Sequence, residues 1–237
     1  MLTNILKHSN KRLRDLSHLV FPNICLICEK ELVNNRKFIC SFCEYEFNYT
    51  FFEKYTEPTI LDELFWGRAL IKETYSYLFF QKGKKEQLLL HALKYNDKNE
   101  IGYFFGNKIG TVLLQTNKFK DVDAFIPVPL HYKKQFNRGY NQSKSIAEGI
   151  SDIFKIEVDN SFLIRSKNTG TQTKNSKASR WDNVQNVFDL NHYKKYKHIV
   201  IVDDVITTGA TLEVIISMIN KKYPEIRISI ISLALAK

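Results

Sequence analysis

Apolar residues recur at helical spacing near the start of the chain: Leu2, Ile5, Leu6, Leu13, Leu16 and Val20, with Lys7, Lys11, Arg12 and Arg14 between them. The pattern predicts a basic helix, interrupted by the polar run from Lys7 to Lys11, that either packs on the rest of the protein or lies on a membrane surface. From Leu64 to Phe80 the rhythm changes to alternation, with Tyr75, Tyr77 and Phe79 on one face, and predicts one or two strands. Two helices follow. One stripe runs through Leu88, Leu89, Ala92 and Leu93, the other through Ile101, Phe104, Phe105, Ile109, Val112 and Leu113, with a break at Asn96 to Asn99. His91, alone beside the first stripe, reads as packed or solvated rather than as a ligand.

The second half carries short apolar runs: Ala124 to Leu130, Phe162 to Arg165, Val184 to Leu190, His198 to Asp204 and Ile226 to Leu235. Helical patterns follow two of them, at Asn141 to Phe154 and Thr211 to Lys222. Continuously apolar strands alternating with amphipathic helices predict an α/β fold with a mainly parallel sheet flanked by helices. The expected organisation is an N-terminal helix and four-cysteine module over 1–50, a hood-like α+β segment over 51–120 and a core over 121–237.

The run "HIVIVDDVITTGAT" places two carboxylates directly after a buried strand and then a threonine-rich loop around one glycine. Asp203 and Asp204 should emerge at the carboxyl edge of the sheet, where α/β folds bind ligands. Thr207, Thr208 and Thr211 offer hydroxyls, the helix start at Ala210 and Thr211 offers free N–H groups, and Gly209 permits close backbone approach, all suited to a phosphate. Paired carboxylates repel a second phosphate but accept hydrogen bonds from vicinal hydroxyls. The site is therefore expected to take a ribose 5-phosphate. Capping of strand and helix is the plainer alternative, and needs one such residue rather than five.

All four cysteines of the chain fall in two Cys-x-x-Cys pairs, Cys25 with Cys28 and Cys40 with Cys43. Two such knuckles close the tetrahedral shell of a structural zinc, a small zinc-knuckle or ribbon module with no position left open for substrate. No glycine follows Cys28 or Cys43, where a knuckle turn often uses one.

Composition narrows the partners. Hydrophobic residues at 44% and charged residues at 25% are ordinary globular values. Lys plus Arg number 35 against 25 acids, a net charge of +10, which favours anionic partners. No apolar run approaches the roughly 20 residues of a membrane span, and no signal peptide is evident, so a cytoplasmic location, or a peripheral one at the inner face of the membrane, is expected.

"VIVDDVITTGAT" resembles the phosphoribosyl-pyrophosphate (PRPP) motif of type I phosphoribosyltransferases. With "FPNICLIC", "ICSFC", "HALKY", "PVPLHYKKQFNRGYNQ" and "RSKNTGTQTKNSKASRWDNVQNVF", in this order from about residue 20 onward, the chain resembles the ComF family of competence proteins. The resemblance implies a sheet of the type I phosphoribosyltransferase kind. It gives Asp203 and Asp204 the ribose hydroxyls and the catalytic role, and residues 207–211 the 5-phosphate. Val128, Pro129 and Leu130 become the pyrophosphate loop, with Arg138, Asn141 and Gln142 as its neighbours. Residues 168–180, with Thr171, Gln172 and Arg180, become a flexible loop over bound substrate; an ordinary surface loop fits their composition equally well. Between Leu130 and Arg180 ten Lys or Arg face four acids, which suits an anion focused at this edge.

Two function classes remain open. One is handling of transforming single-stranded DNA, to which the resemblance links the family, with a competence helicase or membrane channel as partner and Tyr132, Phe136, Tyr140 and Trp181 as candidate stacking rings. The other is Mg2+-dependent transfer of phosphoribosyl from PRPP to an amine or base, which needs positioning and diphosphate neutralisation rather than a side-chain nucleophile.

Overall fold

In a computed structural model of the protein, residues 23–33, 36–95, 99–165, 187–191 and 195–237 are described, apart from the side chains of 132–134. The centre is a five-stranded, wholly parallel sheet in the order β1 (Thr74–Phe80), β7 (Arg227–Ala236), β6 (His198–Ile206), β2 (Ala124–Pro127) and β3 (Glu157–Val158). Ile199, Val200, Ile201 and Val202 are fully buried along β6, as are Ile230, Ile231, Leu233 and Ala234 along β7. Such double-sided burial is what a continuous β-branched and aliphatic run permits.

Helix α6 (Gln142–Phe154) carries the chain from β2 to β3, and α7 (Ala210–Lys222) carries it from β6 to β7. These crossovers travel in opposite directions across the sheet, so the right-handed rule places them on opposite faces. Helix α4 (Asn99–Leu114) packs along α6 with almost no space between the backbones. A Cβ on Gly106 would lie 2.2 Å from the Ile146 carbonyl oxygen, and one on Gly149 would lie 2.2 Å from that of Tyr103. Only glycine allows this crossing.

The outer edge of β1 is closed by residues 48–50, where the Phe79 N–H donates to the Asn48 carbonyl (2.7 Å) and the Thr50 N–H to that of Tyr77 (3.2 Å). The other helices are α1 (Ser41–Tyr45), α2 (Ile60–Glu63), α3 (Lys85–Tyr95) and α5 (Tyr132–Arg138), with a 3-10 turn at Phe52–Lys54.

Several sequence expectations change in three dimensions. The boundary expected at residue 120 falls within one sheet, because β1 of the 51–120 segment forms its edge. Leu64 and its neighbours are not strand: Thr59 and Asp62 form a capping box, which starts α2 and carries the chain into turns until β1 begins at Thr74. Leu163–Arg165 (β4) and Phe188–Leu190 (β5) leave the parallel sheet and pair antiparallel with each other. Ile164 and Asp189, opposite each other in that pair, are exposed, the pattern of a ribbon wet on one face. Helix α5 was not foreseen, since its seven residues carry no full apolar stripe. The basic N-terminal segment lies outside the described residues.

Candidate functional site

The acid pair lies inside β6 rather than after it, because the strand continues to Ile206. Asp203 is level with Ser232 of β7, beyond the fully buried stretch. Its Oδ1 accepts from the Ser143 hydroxyl (3.1 Å), in the first turn of α6, and from the Asp204 N–H (2.8 Å). Burial, and then repulsion from Asp204, raise the Asp203 carboxyl far above the usual carboxylate range, and the donated hydrogen bonds offset only part of this. Asp204 faces the Lys94 ammonium at 3.7 Å, from the last turn of α3.

Beyond Ile206 the loop opens to solvent: Thr207, Thr208, Ala210 and Thr211 are exposed while Gly209 is buried. Gly209 has φ +73°, and a Cβ there would lie 2.9 Å from the Phe65 ring. Two independent demands, a left-handed backbone and contact with a buried ring, therefore select glycine. As N-cap of α7 without a side chain, it leaves the Thr211 and Leu212 N–H groups without a side-chain cap, while the Ala210 N–H donates to the Thr208 hydroxyl (3.4 Å). Arg68 braces this loop: its guanidinium donates to the Thr208 carbonyl (3.1 Å) and pairs with Glu213 (2.5 Å) of α7. Arg68, Ser143 and Phe65 carry no signal in the sequence, and Lys94, within "HALKY", has no role assigned there, because all four stand 60 to 145 residues from their partners.

Val128, Pro129 and Leu130 leave the end of β2 beside the acids, with the Val128 N–H donating to the Val202 carbonyl (2.9 Å). The Asn141 side chain ties this turn to α6: Nδ2 donates to the Val128 carbonyl (3.0 Å) and Oδ1 accepts from the Ser143 N–H (3.0 Å). Arg138 donates to Oε1 of Gln142 (3.2 Å) and lies over the Tyr95 ring, while Nε2 of the buried Gln142 has no partner among the described residues. The fold thus gathers residues 128–130, 138, 141–142 and 203–211 at one end of the sheet. Thr171, Gln172 and Arg180 lie outside the described residues; β4 and β5, which bracket that segment, are joined by their ladder. Of the aromatic candidates, Phe136 is 88% exposed, whereas the Tyr140 hydroxyl donates to the Leu93 carbonyl. Trp181 and the Tyr132 side chain are not described.

The four cysteines are all free thiols whose sulfurs lie within 4.8 Å of one another. Cys28 and Cys40 Sγ are 3.7 Å apart, close to the separation of about 3.8 Å that a tetrahedral site with metal–sulfur bonds near 2.3 Å produces. Burial of Cys25 is outweighed by backbone N–H groups aimed at its sulfur, and its pKa falls to about 7. Cys43 is pushed up by burial and by the neighbouring thiols. Four thiolates here require a cation among them, so the cluster could hold a metal such as zinc. The missing glycines have separate explanations. Glu29, directly after Cys28, itself adopts the left-handed conformation at φ +59°. After Cys43 the chain stays in α1, which Cys40 caps by accepting the Cys43 N–H on sulfur (3.4 Å), so no such turn is needed.

Residues 141–237 match the phosphoribosyl transferase domain family. The chain is 28% identical over 210 residues to competence protein F of Haemophilus influenzae, covering 86% of this chain and 87% of that protein. It is also 28% identical over 214 residues to the DNA utilization protein YhgH of Escherichia coli, covering 82% of this chain and 89% of that protein. Among the described residues, no helix is long and apolar enough to cross a membrane.

Proposed function

From the premise that the chain is a ComF-family, phosphoribosyltransferase-like protein, we propose that it handles single-stranded DNA in natural competence and carries a PRPP or ribose 5-phosphate site. The observation that carries the ligand site is the adjacent acid pair Asp203 and Asp204, partly exposed near the end of the central strand beside the exposed Thr207, Thr208 and Thr211. Vicinal ribose hydroxyls donating to the acids would relieve their repulsion. The exposed threonines and the uncapped N–H groups of Thr211 and Leu212 at the start of α7 would take the phosphate. Arg138, and the orphaned amide of Gln142 beside it, would serve a diphosphate at the 128–130 turn.

The DNA reading rests on the relatives' names, the net charge of +10, and an exposed Phe136 within the lysine- and arginine-rich sequence that begins at Leu130. Zinc at Cys25, Cys28, Cys40 and Cys43 would be a scaffold, since four thiolates leave no open position. Among the described residues Mg2+ has no cage of its own: Asp203 already accepts two hydrogen bonds and Asp204 faces Lys94, so the ion would arrive on the diphosphate. Phosphoribosyl transfer to an amine or base is the second reading, favoured by an acid pair that keeps a destabilising repulsion.

Calorimetry with PRPP tests the site. Replacing Asp203 and Asp204 together by Asn should weaken binding at least tenfold, as two sugar-facing acceptors become amides; unchanged affinity would overturn the assignment. In the same preparation, single-strand affinity should fall steeply between 50 and 200 mM salt if several phosphates are contacted.

A further inference from the structure

A cavity of about 500 Å3 lies between the four-cysteine module, the 48–55 segment and α4, and shares no lining residue with the proposed sugar–phosphate site. Tyr75 and Tyr77, both almost fully buried, line it from β1; Tyr49 and Phe51 come from the edge segment, and Tyr45 from α1. The rings hold one another: Tyr49 meets Tyr77 edge-on at 5.2 Å and lies tilted against Phe51 at 5.7 Å. The Tyr49 hydroxyl donates to the Glu44 carbonyl (2.9 Å).

Phe51 is the telling residue. It is a bulky side chain at φ +56°, a left-handed conformation that glycine or asparagine would adopt at lower cost, and its ring is left 48% exposed at the cavity. Strain of this kind persists where the side chain itself is needed. The following turn brings Glu53 to the same cavity, where it accepts from the Tyr75 hydroxyl (3.3 Å). Glu44 is already paired with Arg36 and Lys108, whereas Glu53 has no ion-pair partner among the described residues.

We propose that this cavity receives a nucleobase, stacked on Phe51 and its neighbours and donating from an amino edge to Glu53. Its volume falls in the range of small-ligand sites, and aromatic walls with one carboxylate acceptor suit a flat ring with an exocyclic amine. Arg36 in the wall is held by Glu44 (2.5 Å); Lys54, whose ammonium lies 4.6 Å over the Phe51 ring, would be displaced from that face by a stacked base and is the cation placed to meet its attached phosphate. These cations disfavour a basic peptide as occupant. Where the base belongs to a single strand, the inference rests on the DNA reading above. A free nucleotide offers the same chemistry.

The test measures binding of dC and dT oligonucleotides, and of dCMP, to the full chain and to Phe51→Asn, Phe51→Trp and Glu53→Gln. Phe51→Asn relieves the backbone strain, so its Tm should equal or exceed that of the parent, while affinity falls roughly 5- to 100-fold, the range of one lost base stack. Phe51→Trp should retain binding. Glu53→Gln should erase a preference for dC over dT. Oligonucleotide binding that Phe51→Asn leaves unchanged would overturn the cavity assignment and leave the DNA reading standing. Binding of dCMP alone, lost in Phe51→Asn, would support the cavity and count against the DNA reading. Binding of neither probe would overturn the cavity assignment.

Discussion

Asp203 is partly buried just past the fully buried residues of β6, and desolvation there, with repulsion from Asp204, raises the cost of its charge. In the unfolded chain its pKa is ordinary, about 3.9; in the fold it is raised. The sign of the linkage follows. The folded state binds the extra proton, so this contribution to stability is complete below about pH 4 and is lost as pH rises through the raised folded value. Asp203→Asn should therefore melt higher than the parent protein at pH 8, by a few degrees at about 2–4 °C per kcal/mol, with the difference vanishing near pH 4. An Asn carbonyl can still accept from Ser143 and from the Asp204 N–H, so the geometry survives. Parallel Tm-versus-pH curves for the two proteins would show that the acid pair costs nothing. Gly209 and Glu29 show two responses to a left-handed turn. Glycine stands where a Cβ would strike Phe65, and a glutamate suffices where the demand is conformational alone.

At the scale of elements, the α4–α6 crossing positions Ser143 and Asn141 against β6 and the 128–130 turn. Its closeness depends on Gly106 and Gly149, each occupying space that a methyl group would take from the other helix. Gly106→Ala should force the helices apart and cost about 1–3 kcal/mol, seen as a lower Tm and denaturant midpoint. An unchanged midpoint would mean that the crossing relaxes freely. The stripes of both helices were legible in the sequence because amphipathic spacing is local. The role of the glycines was not, since a glycine four residues from another looks like a helix weakness until its partner is known. For the same reason β4 and β5 read as sheet strands: alternation identifies a strand but not the strand it pairs with.

Across the whole molecule, Cys25 and Cys43 are completely buried and join the same hydrophobic core as β1 and α4. The cysteine cluster is thus tied into the fold and not a detachable appendage. Protein prepared under reducing conditions should carry about one zinc per chain by elemental analysis. Removing it with a strong chelator should lower the Tm by ten degrees or more, since binding energy at a structural zinc is folding energy. A metal-free chain with an unshifted Tm would make the cluster a set of packed thiols.

What the sequence determined by itself is whatever neighbouring residues decide together. A continuous apolar run with two acids and a Thr/Gly loop makes strand, acid pair and exposed helix-leading turn within 14 residues, and two Cys-x-x-Cys pairs aim four sulfurs at one point. Only the tertiary structure decided which distant groups complete these local frames. Arg68 braces the loop across 140 residues of chain, Ser143 and Lys94 each reach one acid, and residues 48–50 close the edge of β1. The reason is physical: dihedral preference and hydrophobic period act over a few residues, whereas a site's charge balance depends on close contacts between segments far apart in the chain.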